Sequence, residues 1–452
     1  MQKTDRIIGG ACIGLLAAVF AYWAFSRASS LAGLLAGALS CALFAAIMYA
    51  AVPGITRFFT SDEAPFPDEA FGARSLRRER RHPWIKIVLC ALAFRLVLYM
   101  IAYGVYTWKN GYEGGLWDTL RTLWLRTDSP SYLGIAENGY VTEGDARFHI
   151  VFFPLYPLCI RAASYLINDY FASAMVVSNV LAAASAVACY ELTALEMPFE
   201  EAKRSVRYML VLPAAFFLGA PMTESLFLFL SLITLYFARK RRFLPACIFA
   251  ALASLSRLPG LLLAAPVVME MIAELCQRKR AGESIKRAVV WRVFCLIVLF
   301  TGIAAYLYVN YRVTGDAFTF MRYQNEHWQQ GANFFFDASA YQLEYAISDS
   351  AAMRWELFVP NLAACFGALA LMLFAVKKMR ASYAVYFLVY FAVTTGASWL
   401  LSAPRYLASA YPLMLACTEL GGEPSEDVLL TVICASGLLI YMSIYTLGGF
   451  VY

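Results

Sequence analysis

A carboxylate in a short, aromatic-rich stretch is the residue of this sequence best suited to chemistry. Asp128 lies in the run Arg-Thr-Asp-Ser-Pro-Ser-Tyr, directly before a Ser-Pro pair. An Asp followed by Pro is typical of a helix start, and Gly139 is typical of a helix end. We therefore predict a helix over 129–138. Asp128 is then either only its cap or a general base for a hydroxyl group.

A second stretch follows in which an aromatic run is interrupted by two prolines. Residues 149–161 begin at His149 and contain Pro154 and Pro157 among Phe, Tyr and Leu. Two prolines three residues apart stiffen the chain. The stretch suits the wall of a cleft that admits a lipid, and it suits a membrane-interface anchor equally well.

The composition indicates which elements must position these residues. Of the 452 residues, 61% are hydrophobic and only 15% are charged, whereas soluble domains carry about 25% charged residues. Stretches of about 20 apolar residues, long enough to cross a bilayer, recur along the chain. We predict an all-α polytopic membrane protein of about thirteen spans. They lie near residues 7–25, 31–52, 84–107, 171–193, 207–220, 223–238, 243–256, 260–275, 289–311, 357–376, 382–401, 405–418 and 428–447.

The distribution of basic residues predicts the orientation of these spans. Most of the 37 Lys and Arg residues fall in intervals that face the cytoplasm if the N-terminus is inside. As topology anchors, these runs need no nucleic-acid partner. Two polar loops, about 108–170 and 312–356, then face outward, and residues 151–167 are interfacial or re-entrant because they are too short to span. The cysteines form no CxxC pair, which argues against a disulfide or metal role.

Five motifs in order resemble the PIG-V-like mannosyltransferases, a family of multi-spanning GT-C glycosyltransferases. They are an Asp followed by the runs 132–140 and 152–158, then the segments 220–226, 253–261, 314–328 and 402–412. The resemblance covers roughly residues 84–450. It leaves 1–56 as an added transmembrane hairpin and 57–83 as a basic cytoplasmic loop. Three features depart from the family pattern: Thr127 stands where a Trp is usual, Met222 stands where a Tyr is usual, and the proline of segment 253–261 is shifted.

The resemblance implies a GT-C-like helical bundle that transfers a hexose, mannose above all, with inversion. The short loops and the lack of a retention signal favour the plasma membrane as its location. The donor would be a polyprenyl-phosphate sugar, and the acceptor would be an extracytoplasmic hydroxyl of a glycolipid, a protein or a cell-wall polymer. Asp128 would be the catalytic base, and no metal or other cofactor is expected. The substrate-binding residues would be Arg405, Arg257, Glu224, His149, Tyr132, Tyr406, Glu326 and His327.

Several alternatives stay open at this point. Asp118, in a Trp-Asp pair ten residues earlier, is the other candidate base, and Asp316 with Glu326 are the carboxylates to check if activity needs a metal. Arg257 and Glu224 both fall at predicted outer turns, so they are expected either to pair with each other or to bind substrate. For the whole protein, the competing interpretations are a lipid or glycan transporter or flippase, and a non-catalytic relative that acts as a partner subunit.

Overall fold

The computed structural model describes residues 3–60, 83–111 and 115–452 of the chain. Within these ranges no β-strand forms. Ala332 and Ala397 form an isolated antiparallel β-bridge. Most of the predicted basic loop at 57–83 lies outside the described residues. The prediction of an all-α fold is confirmed for the part that the structure describes.

Long apolar helices open the chain, and shorter ones follow them. The first ten α-helices are α1 (Lys3–Arg27), α2 (Leu31–Thr60), α3 (Pro83–Asn110), α4 (Leu116–Trp124), α5 (Ser129–Asn138), α6 (Leu155–Ile167), α7 (Tyr170–Thr193), α8 (Phe199–Val211), α9 (Glu224–Arg239) and α10 (Phe243–Ser256). Three 3₁₀ helices connect some of their neighbours: Asp145–Val151, Ala215–Gly219 and Leu258–Leu263.

The second half repeats this mixture of long and short helices. It consists of α11 (Ala264–Arg280), α12 (Lys286–Thr314), α13 (Thr319–Trp328), α14 (Phe335–Ser348), α15 (Ala351–Lys378), α16 (Ala381–Thr394), α17 (Ala403–Ala408), α18 (Tyr411–Leu420) and α19 (Pro424–Thr446). Within α15 the segment Arg354–Phe358 is a π-helical turn.

Eight helices of the described residues are long and apolar enough to cross a membrane, or nine if one bent pair counts as a span. The chain thus has the helices of a multi-pass membrane protein. Helices α9, α10 and α16 have 16, 14 and 14 residues. At 1.5 Å per residue they are about 21–24 Å long, short of the roughly 30 Å hydrocarbon core. The count of about thirteen spans stays a prediction.

Of the two prolines predicted to break the apolar stretch 151–167, Pro154 lies at a break, whereas Pro157 lies within α6. The 3₁₀ helix Asp145–Val151 and α6 meet at a bend of 108°. The added hairpin of the prediction, α1 with α2, is not separate from the rest of the bundle, because α2 packs against α14, α15 and α16.

Helix α9 lies at the centre of the bundle and positions the site described below. It packs against α7 on one side and α10 on the other, and α10 packs in turn against α12. Small residues allow such helices to approach closely. A Cβ atom on Gly302 of α12 would lie within 3.0 Å of the carbonyl oxygen of Ala251.

This close approach predicts a specific loss of stability. Gly302→Ala is expected to destabilise the protein by about 1–3 kcal/mol, because the new methyl group overpacks the α10–α12 contact. The measurement is the melting temperature of the purified protein in detergent. Gly104→Ala on α3 is the matched control, since a Cβ there meets nothing within 4 Å. Equal melting temperatures for Gly302→Ala and the wild type would contradict the close contact.

Buried ion pairs connect helices at the end of the bundle that is predicted, from its basic residues, to face the cytoplasm. Arg239 binds Glu196 at 2.5 Å, and Arg380 binds Glu270 at 2.6 Å. Glu274 of α11 likewise pairs with Arg292 of α12. Some of the predicted topology anchors therefore also hold helices together.

Candidate active site

Asp128 lies in a tight turn before α5. Thr127 has a φ of +53°, in the left-handed region that non-glycine residues seldom adopt. Asp128 occupies the cap position of α5, but its side chain makes no capping hydrogen bond. The carboxylate instead accepts a hydrogen bond of 3.0 Å from the Arg405 guanidinium. The prediction of Asp128 as a mere cap is therefore wrong, because its side chain is directed to a partner 277 residues away.

Glu224 joins the two arginines of this site. It begins α9 and is 1% exposed. Its Oε1 accepts hydrogen bonds from Arg257 Nη1 at 2.9 Å and from Arg405 Nε, also at 2.9 Å. The predicted Arg257–Glu224 pair is confirmed. Asp128, Arg405, Glu224 and Arg257, here called the four-residue cluster, form one continuous chain of alternating charge.

Aromatic rings surround the two guanidinium groups. Arg405 lies 4.8 Å from the ring centre of Phe217, and Arg257 lies 4.9 Å from that of Tyr406. A guanidinium over an aromatic face is attracted by the ring, more strongly where water is excluded. The contact with Arg257 gives the predicted Tyr406 a place in the site, whereas Phe217 was not foreseen from sequence.

The cluster differs in exposure from one end to the other. The Asp128 side chain is 34% exposed, while that of Arg405 is 4% exposed. The Arg257 side chain is 12% exposed, and its hydrogen-bond partner among the described residues is Glu224. An accessible carboxylate therefore stands beside one fixed guanidinium, and a second guanidinium keeps unused donors.

Tyr132 ties α5 to the start of α9. Its hydroxyl lies 3.5 Å from Thr223 Oγ1, next to Glu224 in the chain. Its ring packs edge-on against Phe152 at 5.0 Å and Tyr156 at 5.4 Å. The predicted aromatic wall of residues 149–161 therefore holds the helix that Asp128 precedes.

His149 and His327 lie together in a neighbouring contact. Phe148 stacks on His327 with ring centres 4.4 Å apart, which joins the 3₁₀ helix Asp145–Val151 to α13. Burial lowers the pKa of His149, and the nearby His327 lowers that pKa further. His149 has no contact with the four-residue cluster among the described residues. Phe152, 6.1 Å from the His149 ring, lies between His149 and Tyr132.

Two carboxylates weighed from the sequence lie elsewhere. Glu326 is half-exposed on α13 and approaches Arg322 at 3.9 Å. Asp118 is exposed on α4, and the carboxylate that binds Arg405 is that of Asp128. No group of three His, Cys, Asp or Glu side chains in the described ranges is arranged to hold a metal ion.

Arg126 is a site residue that sequence reasoning missed. It donates to the carbonyl oxygen of Tyr445, and its guanidinium lies 5.0 Å from the Tyr445 ring centre. The turn that carries Asp128 is thereby fixed to α19. The available signal was a basic residue inside a predicted outward loop, where the positive-inside rule gives it no role.

The two substituted residues of the family motifs, Thr127 and Met222, lie in contact with each other. Thr127 Oγ1 is 3.8 Å from Met222 Sδ. The two side chains thus meet where the Asp128 turn approaches the segment that leads to Glu224.

Comparison with protein-family models, with curated proteins and with solved structures finds no match. The resemblance to the PIG-V-like family therefore rests on the sequence motifs alone.

Proposed function

We propose that this protein is an integral-membrane glycosyltransferase. It moves a hexose, mannose by the motif resemblance, from a polyprenyl-phosphate donor to an extracytoplasmic acceptor hydroxyl with inversion. The observation that carries the proposal is the pairing of a partly exposed carboxylate, Asp128, with the buried guanidinium of Arg405 at 3.0 Å.

Asp128 serves as the general base in this proposal. A hydroxyl is a weak nucleophile until a positioned group accepts its proton, which contributes typically 10²–10⁴-fold to the rate. The Asp128 carboxylate has exposed surface through which an acceptor can reach it. Arg405 and the left-handed Thr127 turn hold it in place.

Arg257 and Arg405 stabilise the departing lipid phosphate. Fixed cations in a water-poor site stabilise charge that develops in the transition state, and a guanidinium fork matches phosphate oxygens. Arg257 supports this role because one of its terminal nitrogens donates to Glu224. Among the described residues its other N–H donors have no hydrogen-bond partner, so they can bind phosphate oxygens. Glu224 orients both arginines through a single oxygen.

The charge balance of the cluster favours a lipid phosphate over a nucleotide diphosphate. Two carboxylates and two guanidiniums leave no net positive charge to neutralise a multiply charged donor. A phosphodiester to a lipid carries a single negative charge. It can be bound by redirecting one guanidinium without a metal.

The identity of the sugar donor tests the proposal. Purified protein is expected to transfer mannose from polyprenyl-phosphate mannose, to ignore GDP-mannose, and to keep its activity in excess EDTA. Each donor is supplied separately, with and without chelator, to protein freed of endogenous lipid donor, and labelled product is counted. Arg405→Ala should weaken donor use, and Arg405→Lys should restore it only in part, because an ammonium lacks the bidentate fork.

Two results would overturn the proposal. Transfer from the nucleotide sugar alone would replace the lipid donor. Movement of a lipid-linked sugar across a vesicle bilayer without a new glycosidic bond would indicate a transporter or flippase instead.

A further inference from the structure

A cavity of about 210 Å³ lies at the predicted outward end of α1 and α2, where their connecting turn meets α14. Its polar lining consists of Trp23, Arg27, Ser29, Asp337, Tyr341 and Glu344. None of these residues belongs to the four-residue cluster. The cavity is smaller than the roughly 300–1,000 Å³ of pockets for drug-sized ligands, so it suits a small polar group.

Two carboxylates face this cavity from the same side of α14. Asp337 and Glu344 are seven residues, two helical turns, apart. Asp337 accepts hydrogen bonds from the Trp23 indole at 2.6 Å and from the Asn333 amide. Glu344 accepts hydrogen bonds from Ser29 at 2.7 Å and 2.9 Å and from Ser30 at 2.5 Å. These donors are uncharged. Among the described residues neither carboxylate forms an ion pair, so their negative charge is held in place but not neutralised.

A cation lines the same cavity without reaching either carboxylate. Arg27 makes a long hydrogen bond of 3.5 Å to Asn333 Oδ1. It has no ion-pair partner among the residues that the structure describes. The Asn333 amide in turn donates to Asp337, so Asn333 bridges the arginine and this carboxylate. Opposite charges therefore face one small cavity without direct contact, although a charged group near a membrane is costly to leave unpaired.

The backbone of α2 makes room for this arrangement. A Cβ on Gly33 would lie within 3.0 Å of Glu344 Oε1 and Cδ. A Cβ on Gly37 would come within 3.0 Å of the Trp23 ring. The two glycines, one helical turn apart, allow Glu344 and Trp23 to take their positions against α2.

The position of the cavity along α1 points to the level of lipid headgroups. Tyr22 and Phe25, beside Trp23 and Arg27, are 71% and 97% exposed on this apolar helix. Exposed aromatic side chains at the end of a span are typical of the membrane–water interface. The cavity thus opens close to where an apolar surface meets water.

We propose that this cavity binds a zwitterionic phosphoethanolamine group. Arg27 binds the phosphate, and Asp337 with Glu344 binds the primary ammonium, which has three donors for their oxygens. Two carboxylates beside an arginine suit a singly charged ammonium better than a divalent cation, because the arginine repels the doubly charged ion more strongly. This binding is separate from sugar transfer and stands if the proposed function fails.

The experiment uses the purified full-length protein and three soluble probes: O-phosphoethanolamine, ethanolamine and inorganic phosphate. Binding is measured by calorimetry in detergent. Asp337→Asn and Glu344→Gln are each expected to weaken phosphoethanolamine and ethanolamine binding at least about tenfold, through loss of a charged partner. Arg27→Gln should weaken phosphoethanolamine binding and should not weaken ethanolamine binding, because ethanolamine has no phosphate for Arg27 to bind. Each acidic variant keeps one oxygen as a hydrogen-bond acceptor and replaces the other with an amide donor, and melting temperatures identify any variant that misfolds.

Asp349→Asn, at the end of α14 and outside the cavity, is the matched control and should bind all probes as the wild type does. Whether the bound phosphoethanolamine group belongs to a lipid headgroup or to a free molecule is determined by competition binding in nanodiscs. Phosphatidylethanolamine, but not phosphatidylglycerol, should compete with the soluble probe if a lipid headgroup is the ligand, and neither should compete if it is a free molecule. A wild-type protein that binds neither phosphoethanolamine nor ethanolamine would overturn the proposal, as would undiminished binding in an Asp337→Asn, Glu344→Gln double variant.

Discussion

Asp128→Asn is expected to lower sugar transfer at least about 100-fold while the protein still folds and inserts into the membrane. The amide cannot accept the proton of the acceptor hydroxyl. It keeps an oxygen for the 3.0 Å hydrogen bond from Arg405, so the turn before α5 should hold its shape. The measurement is initial transfer rate with purified enzyme, alongside a melting curve that excludes unfolding.

Asp118→Asn is the matched control for that result. Asp118 is a carboxylate of the same predicted loop, exposed on α4. Its replacement should change the transfer rate far less. If Asp118→Asn abolished transfer and Asp128→Asn spared it, the base would be Asp118 and the motif alignment would be wrong.

Glu224→Gln is expected to cause the largest loss of stability, about 3–5 kcal/mol, the usual effect of removing one partner from a buried ion pair. Glu224 is 1% exposed and its Oε1 binds both Arg257 and Arg405. A neutral amide leaves the two guanidiniums with Asp128 as their remaining anion in the cluster. The readout is unfolding in detergent, followed by heat or denaturant.

Glu326→Gln provides the comparison. Glu326 is half-exposed and approaches Arg322 at 3.9 Å, a geometry worth about 0–1 kcal/mol. A Glu224 variant no less stable than the Glu326 variant would show that the four-residue cluster does not hold the helices together.

Local signals predicted local structure well around the site. The helix predicted over 129–138 is α5 (Ser129–Asn138), and Gly139 ends it with a φ of +76°. The partner of Asp128 could not be predicted in the same way. Arg405 is remote in the chain, and a cap and an ion-pair ligand have the same sequence pattern.

Hydrophobicity predicted the membrane class, but it located breaks between helices poorly. The span predicted over 382–401 ends early, where α16 stops at Thr394. The chain beyond it pairs with the segment before α14, through the bonds Asn333 N–H to Gly396 O at 2.8 Å and Ser398 N–H to Gly331 O at 2.9 Å. Apolar composition gives no sign of such long-range backbone pairing.

His149 shows a further limit of sequence reasoning. It was predicted to converge with Asp128 because both lie in one outward loop. The 3₁₀ helix that carries His149 packs against α13, through Phe148 and His327, and it also contacts α5. Membership of one loop restricts two residues to one side of the bundle and does not by itself join them in one hydrogen-bonded cluster.

The distance in sequence between Asp128 and Arg405 also sets the order in which the protein becomes competent. When Asp128 leaves the ribosome, its guanidinium partner lies 277 codons ahead, and the Tyr445 carbonyl that holds Arg126 is encoded further on still. At about 5–20 residues per second, the turn before α5 waits on the order of tens of seconds for its partners. The nascent chain therefore carries an unassembled site until nearly all of its helices have been made.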